Sequence, residues 1–298
     1  MGPSQSSLIT LSLITLTFSL SSILASSSDY TSLVFKGCAN QKFPDSTPLY
    51  KQSLKSLADA LTAQSSAAKF YKTSSGDGAS AMSGLYQCRA DLSNDDCRGC
   101  VKKAASMAES LCGEAVAARA QLNGCYLRYE ITGFRQASQT EFVYKVCGST
   151  RASGSGFGDK LDMALGEIAK GVASGNGGGF YASGFQSVYV LGQCQGDLAG
   201  GDCVNCVKTA AEKAKSECGG SISAQIYLQE CYISYTYYPN GVPNNNHQSI
   251  PSSGRGKNTQ KTVAIVMGGL VGMGLVAACL LFTKSAFKKK AYTYKYGG

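Results

Sequence analysis

Histidine is the scarcest chemistry-bearing residue in this chain: a single copy, His247, lies in a stretch of Asn, Ser and Pro with no periodic pattern. A Ser-His-Asp or Cys-His nucleophile needs an imidazole held by a fold. That group of mechanisms is therefore excluded, and binding is a better expectation than catalysis. Asn-x-Ser/Thr sequons are absent as well, so N-linked glycan is not expected. No two acidic side chains can be set side by side from the pattern, which leaves paired-carboxylate hydrolysis without a candidate. The glycine-rich run at 175–179 is not followed by the Lys-Ser/Thr pair of a phosphate-binding loop and reads as a turn. We expect no catalytic residue, no metal and no cofactor.

Cysteine, by contrast, is plentiful and ordered. Cys88, Cys97, Cys100, Cys112 and Cys125 recur as Cys194, Cys203, Cys206, Cys218 and Cys231, each displaced by 106 positions. One module has been duplicated. Cys38 and Cys147 lie upstream of the two sets, so twelve of the thirteen cysteines form two groups of six, and Cys279 is left over. Six suits complete pairing within a module while leaving many pairings open. The close pairs Cys97-x-x-Cys100 and Cys203-x-x-Cys206 could in principle be redox sites or part of a zinc site. A redox motif, however, normally sits beside a βαβ pattern in a reducing compartment, and zinc would strand two reduced thiols per module. A disulfide framework is the better reading, and modules this small gain from it, at roughly 2–4 kcal/mol per bridge.

The oxidising route that such bridges require is written at the N-terminus. Residues 8–24 are apolar or hydroxylated without a charge, and Ala25, Ser26, Ser27 and Ser28 provide small residues for signal cleavage after Ser27. Residues 263–282 are an uncharged, mostly apolar run, long enough for a helix to cross a hydrocarbon core roughly 30 Å thick. Lys284, Lys288, Lys289, Lys290 and Lys295 follow it and favour a cytoplasmic tail, while cleavage places the preceding chain outside the cell. The formal charge of +9 is not a nucleic-acid signature. Five lysines belong to the tail and Arg255, Lys257 and Lys261 to a stalk, which leaves +1 for the modules. Inside the span, Gly268-x-x-x-Gly272 would let two helices approach closely and self-associate, and Cys279 could accept an acyl chain.

The expected organisation is a signal peptide at 1–27, a first cysteine-rich domain at 28–140, a second at 141–238, a flexible extracellular stalk at 239–262, a transmembrane helix at 263–282 and a short basic tail at 283–298. The tail is too short for a kinase or any other folded enzyme. Within the first domain, an extended segment at 32–35 leads to Cys38; Leu54, Leu57, Ala58 and Leu61 recur at helical spacing; and Asp95 or Asp96 can cap a second helix carrying Cys100, Val101, Ala104, Met107 and Leu111. Residues 117–122 and 125–131 read as strands, repeated at 224–228 and 231–237, with 142–146 opening the second domain. Helices among short alternating strands point to an α+β module with an antiparallel sheet.

The Cys-x8-Cys-x2-Cys signature at Cys88, Cys97 and Cys100, repeated at Cys194, Cys203 and Cys206, resembles the plant stress-antifungal or ginkbilobin-homologous domains. Two such domains with a signal peptide, one span and a very short tail look like the plasmodesmata-located proteins. The resemblance implies a five-stranded antiparallel sheet with two helices in each module. It implies the pairs Cys38–Cys112, Cys88–Cys97 and Cys100–Cys125, then Cys147–Cys218, Cys194–Cys203 and Cys206–Cys231. In the ginkgo lectin of this family an Asn, an Arg and a Glu hold mannose; the matching positions here are Ala39, Arg119 and Glu130, so two of three candidate carbohydrate ligands are kept. The second module offers Gly148, Gln225 and Thr236 and is not expected to bind mannose.

Family resemblance further implies a non-enzymatic plasma-membrane protein at plasmodesmata that restricts cell-to-cell movement, promotes callose deposition and meets viral movement proteins. Its expected partners are the membrane, a cell-wall polysaccharide or another ectodomain, and further copies of itself or a relative in an oligomer; no nucleic acid is expected. A membrane-tethered carbohydrate-binding or antifungal lectin using Arg119 and Glu130 is the alternative.

Overall fold

A computed structural model describes residues 29–43, 48–134, 137–153, 156–174 and 178–242. His247, Gly268, Gly272, Cys279, the signal segment, most of the stalk, the 263–282 run and the tail lie outside them. Among the described residues no helix is long and apolar enough to cross a membrane.

The first module runs β1 (Leu33–Cys38), α1 (Pro48–Gln64), β2 (Phe70–Ser75), β3 (Met82–Cys88), α2 (Asn94–Cys112), β4 (Ala117–Leu122) and β5 (Cys125–Ile131). The second repeats it as β6 (Phe142–Cys147), α3 (Phe157–Ala173), β7 (Phe180–Phe185), β8 (Val188–Cys194), α4 (Gly200–Cys218), β9 (Ser223–Leu228) and β10 (Cys231–Tyr237). Strand orders are β1-β4-β5-β3-β2 and β6-β9-β10-β8-β7, with every neighbouring pair antiparallel. Two disulfide-rich α+β modules in tandem, each a five-stranded sheet with two helices, are thus observed.

Periodicity explains the helices. Tyr50, Ser53, Leu57 and Leu61 form the buried stripe of α1, and Cys97, Cys100, Val101, Ala104, Ala108 and Cys112 that of α2. Met107 is only partly buried and Leu111 is exposed, so the inward stripe passes through Ala108 and Cys112 instead. The cap of α2 is one turn corner earlier than the acidic pair: Ser93 is extended and its hydroxyl accepts the Asp96 amide at 3.1 Å, while Asp95 and Asp96 fill the first turn. A serine cap satisfies an orphan amide, and the acids then complement the helix dipole. At the glycine-rich run, Gly178 and Gly179 take φ of +55° and +79° in a turn leading into β7.

Sulfur fixes the second helix of each module to its sheet. Cys88 and Cys125 are directly opposite in the β3–β5 ladder, and they bond to Cys97 and Cys100, one helical turn apart at the start of α2. Cys112, the last residue of α2, bonds to Cys38 at the end of β1. Module two repeats this with Cys194–Cys203, Cys206–Cys231 and Cys147–Cys218. Lys36 Nζ and Lys42 Nζ donate to the Leu111 and Cys112 carbonyls, each at 3.0 Å, placing cations at the negative end of α2.

Helices cover one face of each sheet. The opposite faces lie against each other through a third apolar cluster, in which Phe35 of module one meets Leu191, Tyr227 and Tyr232 of module two. Five of six residues in both β4 and β9 are consequently buried. This is a sheet-on-sheet core made by two modules.

Removing one long-range bridge should leave the topology intact at a cost. Cys38→Ser/Cys112→Ser is expected to lower the unfolding free energy by about 2–5 kcal/mol, measurable by urea denaturation of the oxidised protein.

Candidate functional site

The strand face that carries Gln121, Arg119, Tyr126 and Arg128 is the one turned toward module two, and it is polar as well as buried. Arg119 is 9% exposed. Its guanidinium stacks on the Tyr126 ring, 4.2 Å from the centroid, with Phe35 at 5.6 Å. Nη1 donates across the modules to the Gln229 carbonyl at 3.0 Å, and Nη2 to Gln121 Oε1 at 2.9 Å. Burial pulls its pKa down to about 10, with Tyr126 opposing and Arg128 adding to the shift; the group stays charged at neutral pH.

Around it the contacts form a network. The Tyr126 hydroxyl donates to Gln195 Oε1 at 2.6 Å, and Gln195 Nε2 in turn donates to Asp197 Oδ1 at 2.6 Å. Arg128 lies 3.9 Å from Glu230, and Lys72 lies 3.5 Å from Asp197. Burial raises the Glu230 pKa, against the opposing pull of Arg128. Two glutamines make reciprocal clasps: Gln87 Oε1 accepts the Gly196 amide at 2.8 Å, and Gln193 Oε1 accepts the Ala90 amide at 3.0 Å. Gln87, Gln193 and Gln195 are buried, so these bonds are better shielded from solvent than surface pairs are. Among the described residues, Arg119 Nε and the Tyr232 hydroxyl are the buried side-chain polar atoms without a hydrogen bond.

The three positions matched to sugar ligands meet at one end of the first sheet. The Ala39 amide donates to the Ala117 carbonyl at 2.9 Å, Ala117 is opposite Glu130, and Arg119 is two residues further along β4, opposite Arg128. Backbone proximity is therefore present, but the Arg119 guanidinium is committed to Gln229, Gln121 and two aromatic rings rather than to an open surface. At Gly148, a Cβ would stand 2.4 Å from Ser223 Oγ, so no side chain fits there without movement. Gln225 is buried and accepts the Tyr227 hydroxyl at 2.6 Å. Thr236 lies opposite Ser223.

Among the described residues, two concavities lie outside the module interface. A groove of about 530 Å³ runs between α3 and α4 over Leu165, Gly166, Ala169 and Val204, rimmed by Lys170 and Lys208. A polar hollow of about 450 Å³ lies beside Cys147 and Cys218, where Arg151 Nη1 donates to the Gly219 carbonyl at 2.6 Å. Among the described residues no three His, Cys, Asp or Glu side chains come together as a metal site would need.

Sequence reasoning missed the glutamines of the interface, because polar residues alternating along a strand read as its solvent face. One signal was present: Gln87 and Gln193 are identical at the repeat spacing of 106, immediately before the first cysteine of each signature.

Two helix-on-sheet modules, each locked by the same three bridges and laid sheet to sheet, define a tandem pair of stress-antifungal domains. The family model described as "Salt stress response/antifungal" matches residues 37–132 and 146–238. Plasmodesmata-located protein 2 of Arabidopsis thaliana is 45% identical over 285 residues, covering 91% of this chain and 92% of that protein. Plasmodesmata-located protein 1 of the same plant is 47% identical over 279 residues, covering 89% and 91%. The crystal structure of the tandem DUF26 ectodomain from the Arabidopsis thaliana cysteine-rich receptor-like protein PDLP8 superposes with a TM-score of 0.64 at 30% identity, over 70% of this chain and 98% of that one. The chain belongs to the plasmodesmata-located protein family.

Truncating the central cation should weaken the joint. Arg119→Ala leaves the Gln229 carbonyl and Gln121 without their donor and removes the stacking on Tyr126; a loss of about 2–4 kcal/mol is expected, read as a lowered midpoint in chemical denaturation with all six bridges retained.

Proposed function

We propose that this protein is a non-enzymatic membrane protein of plasmodesmata that restricts cell-to-cell trafficking, through callose-linked control of permeability, by means of a wall-facing recognition ectodomain. The observation that carries the reading is the extent of the likeness: relatives named for plasmodesmata match about nine-tenths of the chain. Chemistry supports it from the other side. The lone histidine lies outside both modules, twelve cysteines are bonded in pairs, and the buried arginines and carboxylates already serve the module interface.

Because the inner sheet faces are used up by each other, a wall polysaccharide or a second ectodomain has the helical faces and the sheet margins to meet. The apolar groove between α3 and α4 and the exposed aromatic rings of Phe142 and Tyr144 at the β6 edge are the surfaces of suitable chemistry. Viral movement proteins fit the same reading as partners that gain passage by engaging a resident of the channel. Self-association through Gly268 and Gly272, in a single span that leaves the tail cytoplasmic, would bring ectodomains together in pairs. A sugar site built on Arg119 and Glu130 is the second reading; it requires the modules to part, since the guanidinium is sealed between them.

A fluorescent tail fusion should mark punctate foci across the wall that coincide with stained callose, and its overexpression should slow the spread of a diffusible tracer. Uniform surface labelling with unchanged tracer movement would defeat the proposal.

A further inference from the structure

The repeat of 106 allows every position of the interface to be read twice. Gln87 and Gln193 are the same residue, and their clasps are reciprocal, so they would serve a pair of like modules as well as the pair observed. The neighbouring positions are not alike. Where module one carries Arg89, Arg119 and Arg128, module two carries Gln195, Gln225 and Ser234. Where module one has Gly124, module two has Glu230.

Each difference is used in a contact. Arg128 faces Glu230 at 3.9 Å. The Tyr126 hydroxyl donates to Gln195, whose counterpart Arg89 has no acceptor to offer. Arg119 donates to the Gln229 carbonyl, and the position equivalent to Arg119 in module two is a neutral glutamine held by Tyr227. Arg89 is held by Asp91 of its own module through bonds of 2.8 and 2.7 Å.

We infer that the inner sheet face of module one is a selective receptor for a face of the module-two kind, acceptor-rich and carboxylate-bearing, and that this asymmetry of charge excludes pairing of like with like. Two module-one faces would bring Arg119 and Arg128 of each copy into one layer, Arg89 being held by Asp91, with Arg128 meeting Gly124 instead of a carboxylate. Like charges forced together without solvent oppose association strongly. Two module-two faces would leave Glu230 opposite neutral groups, buried without a cation. Discrimination by repulsion is how duplicated surfaces with a common ancestor stay distinct.

The test writes module one's cations onto module two in the full chain, solubilised in detergent. Gln195→Arg/Gln225→Arg/Ser234→Arg should separate the modules: hydrogen exchange at the amides of Ala90 and Gly196 should accelerate about tenfold or more, the radius of gyration should rise, and mass spectrometry should still find all six bridges. The uncharged variant Gln195→Met/Gln225→Met/Ser234→Gln, of similar bulk, should stay closed. A triple-arginine chain that stays closed, or an uncharged variant that opens to the same degree, overturns the inference. Should the triple-arginine chain fail to form its bridges, the exchange pair decides: Arg128→Glu alone should open the interface and Arg128→Glu/Glu230→Arg should reclose it, while equal behaviour of the two overturns the inference.

Discussion

The inner faces of the two sheets are buried against each other, and that burial governs the rest of the structure. A polar group on the inner faces must find a partner in its own module or in the other, at a cost of roughly 1–3 kcal/mol for each buried group left unpaired. Arg119, Tyr126, Gln87 and Gln193 meet the requirement by reaching across. The arrangement converts two small domains, each with a limited core of its own, into one body with three apolar clusters. Polar contacts at defined positions also set how the modules are aligned, which purely apolar faces would leave loose.

The disulfides act on a different scale. By joining the first two turns of α2 to two strand ends already opposite in register, and its last residue to the edge strand β1, they hold the helix at both ends over its sheet. α4 is held in the same way. With the helix fixed, the sheet's other face is presented as a stable platform, and only such a platform can satisfy buried polar atoms to within a few tenths of an ångström. Covalent clamps and the buried interface therefore depend on each other. The surfaces left for partners are those that neither of them uses.

Much of this was legible in the sequence. The duplication, the helical stripes of α1 and α2 and the strands β4, β5, β9 and β10 follow from periodicity and cysteine spacing, and each lies within a residue or two of its expected place. The helix cap was misplaced because two aspartates beside a serine are all good cap residues, and only the extended backbone at Ser93 distinguishes them. The partner of Arg119 was beyond reach for a deeper reason. A strand that reads as Tyr126, Arg128 and Glu130 on one side and Leu127, Tyr129 and Ile131 on the other is the pattern of a half-exposed sheet. Nothing local reveals that a second domain takes the place of solvent over this face.

The position of β10 has a mechanical corollary. It is the middle strand of its sheet, bonded on one side to β8 from Cys231 to Tyr237 and on the other to β9, with Cys231 tied to Cys206 at its far end. Tension applied to the chain beyond Tyr238 would load both ladders in shear at once, instead of peeling an outer strand rung by rung, and would end on a covalent stop.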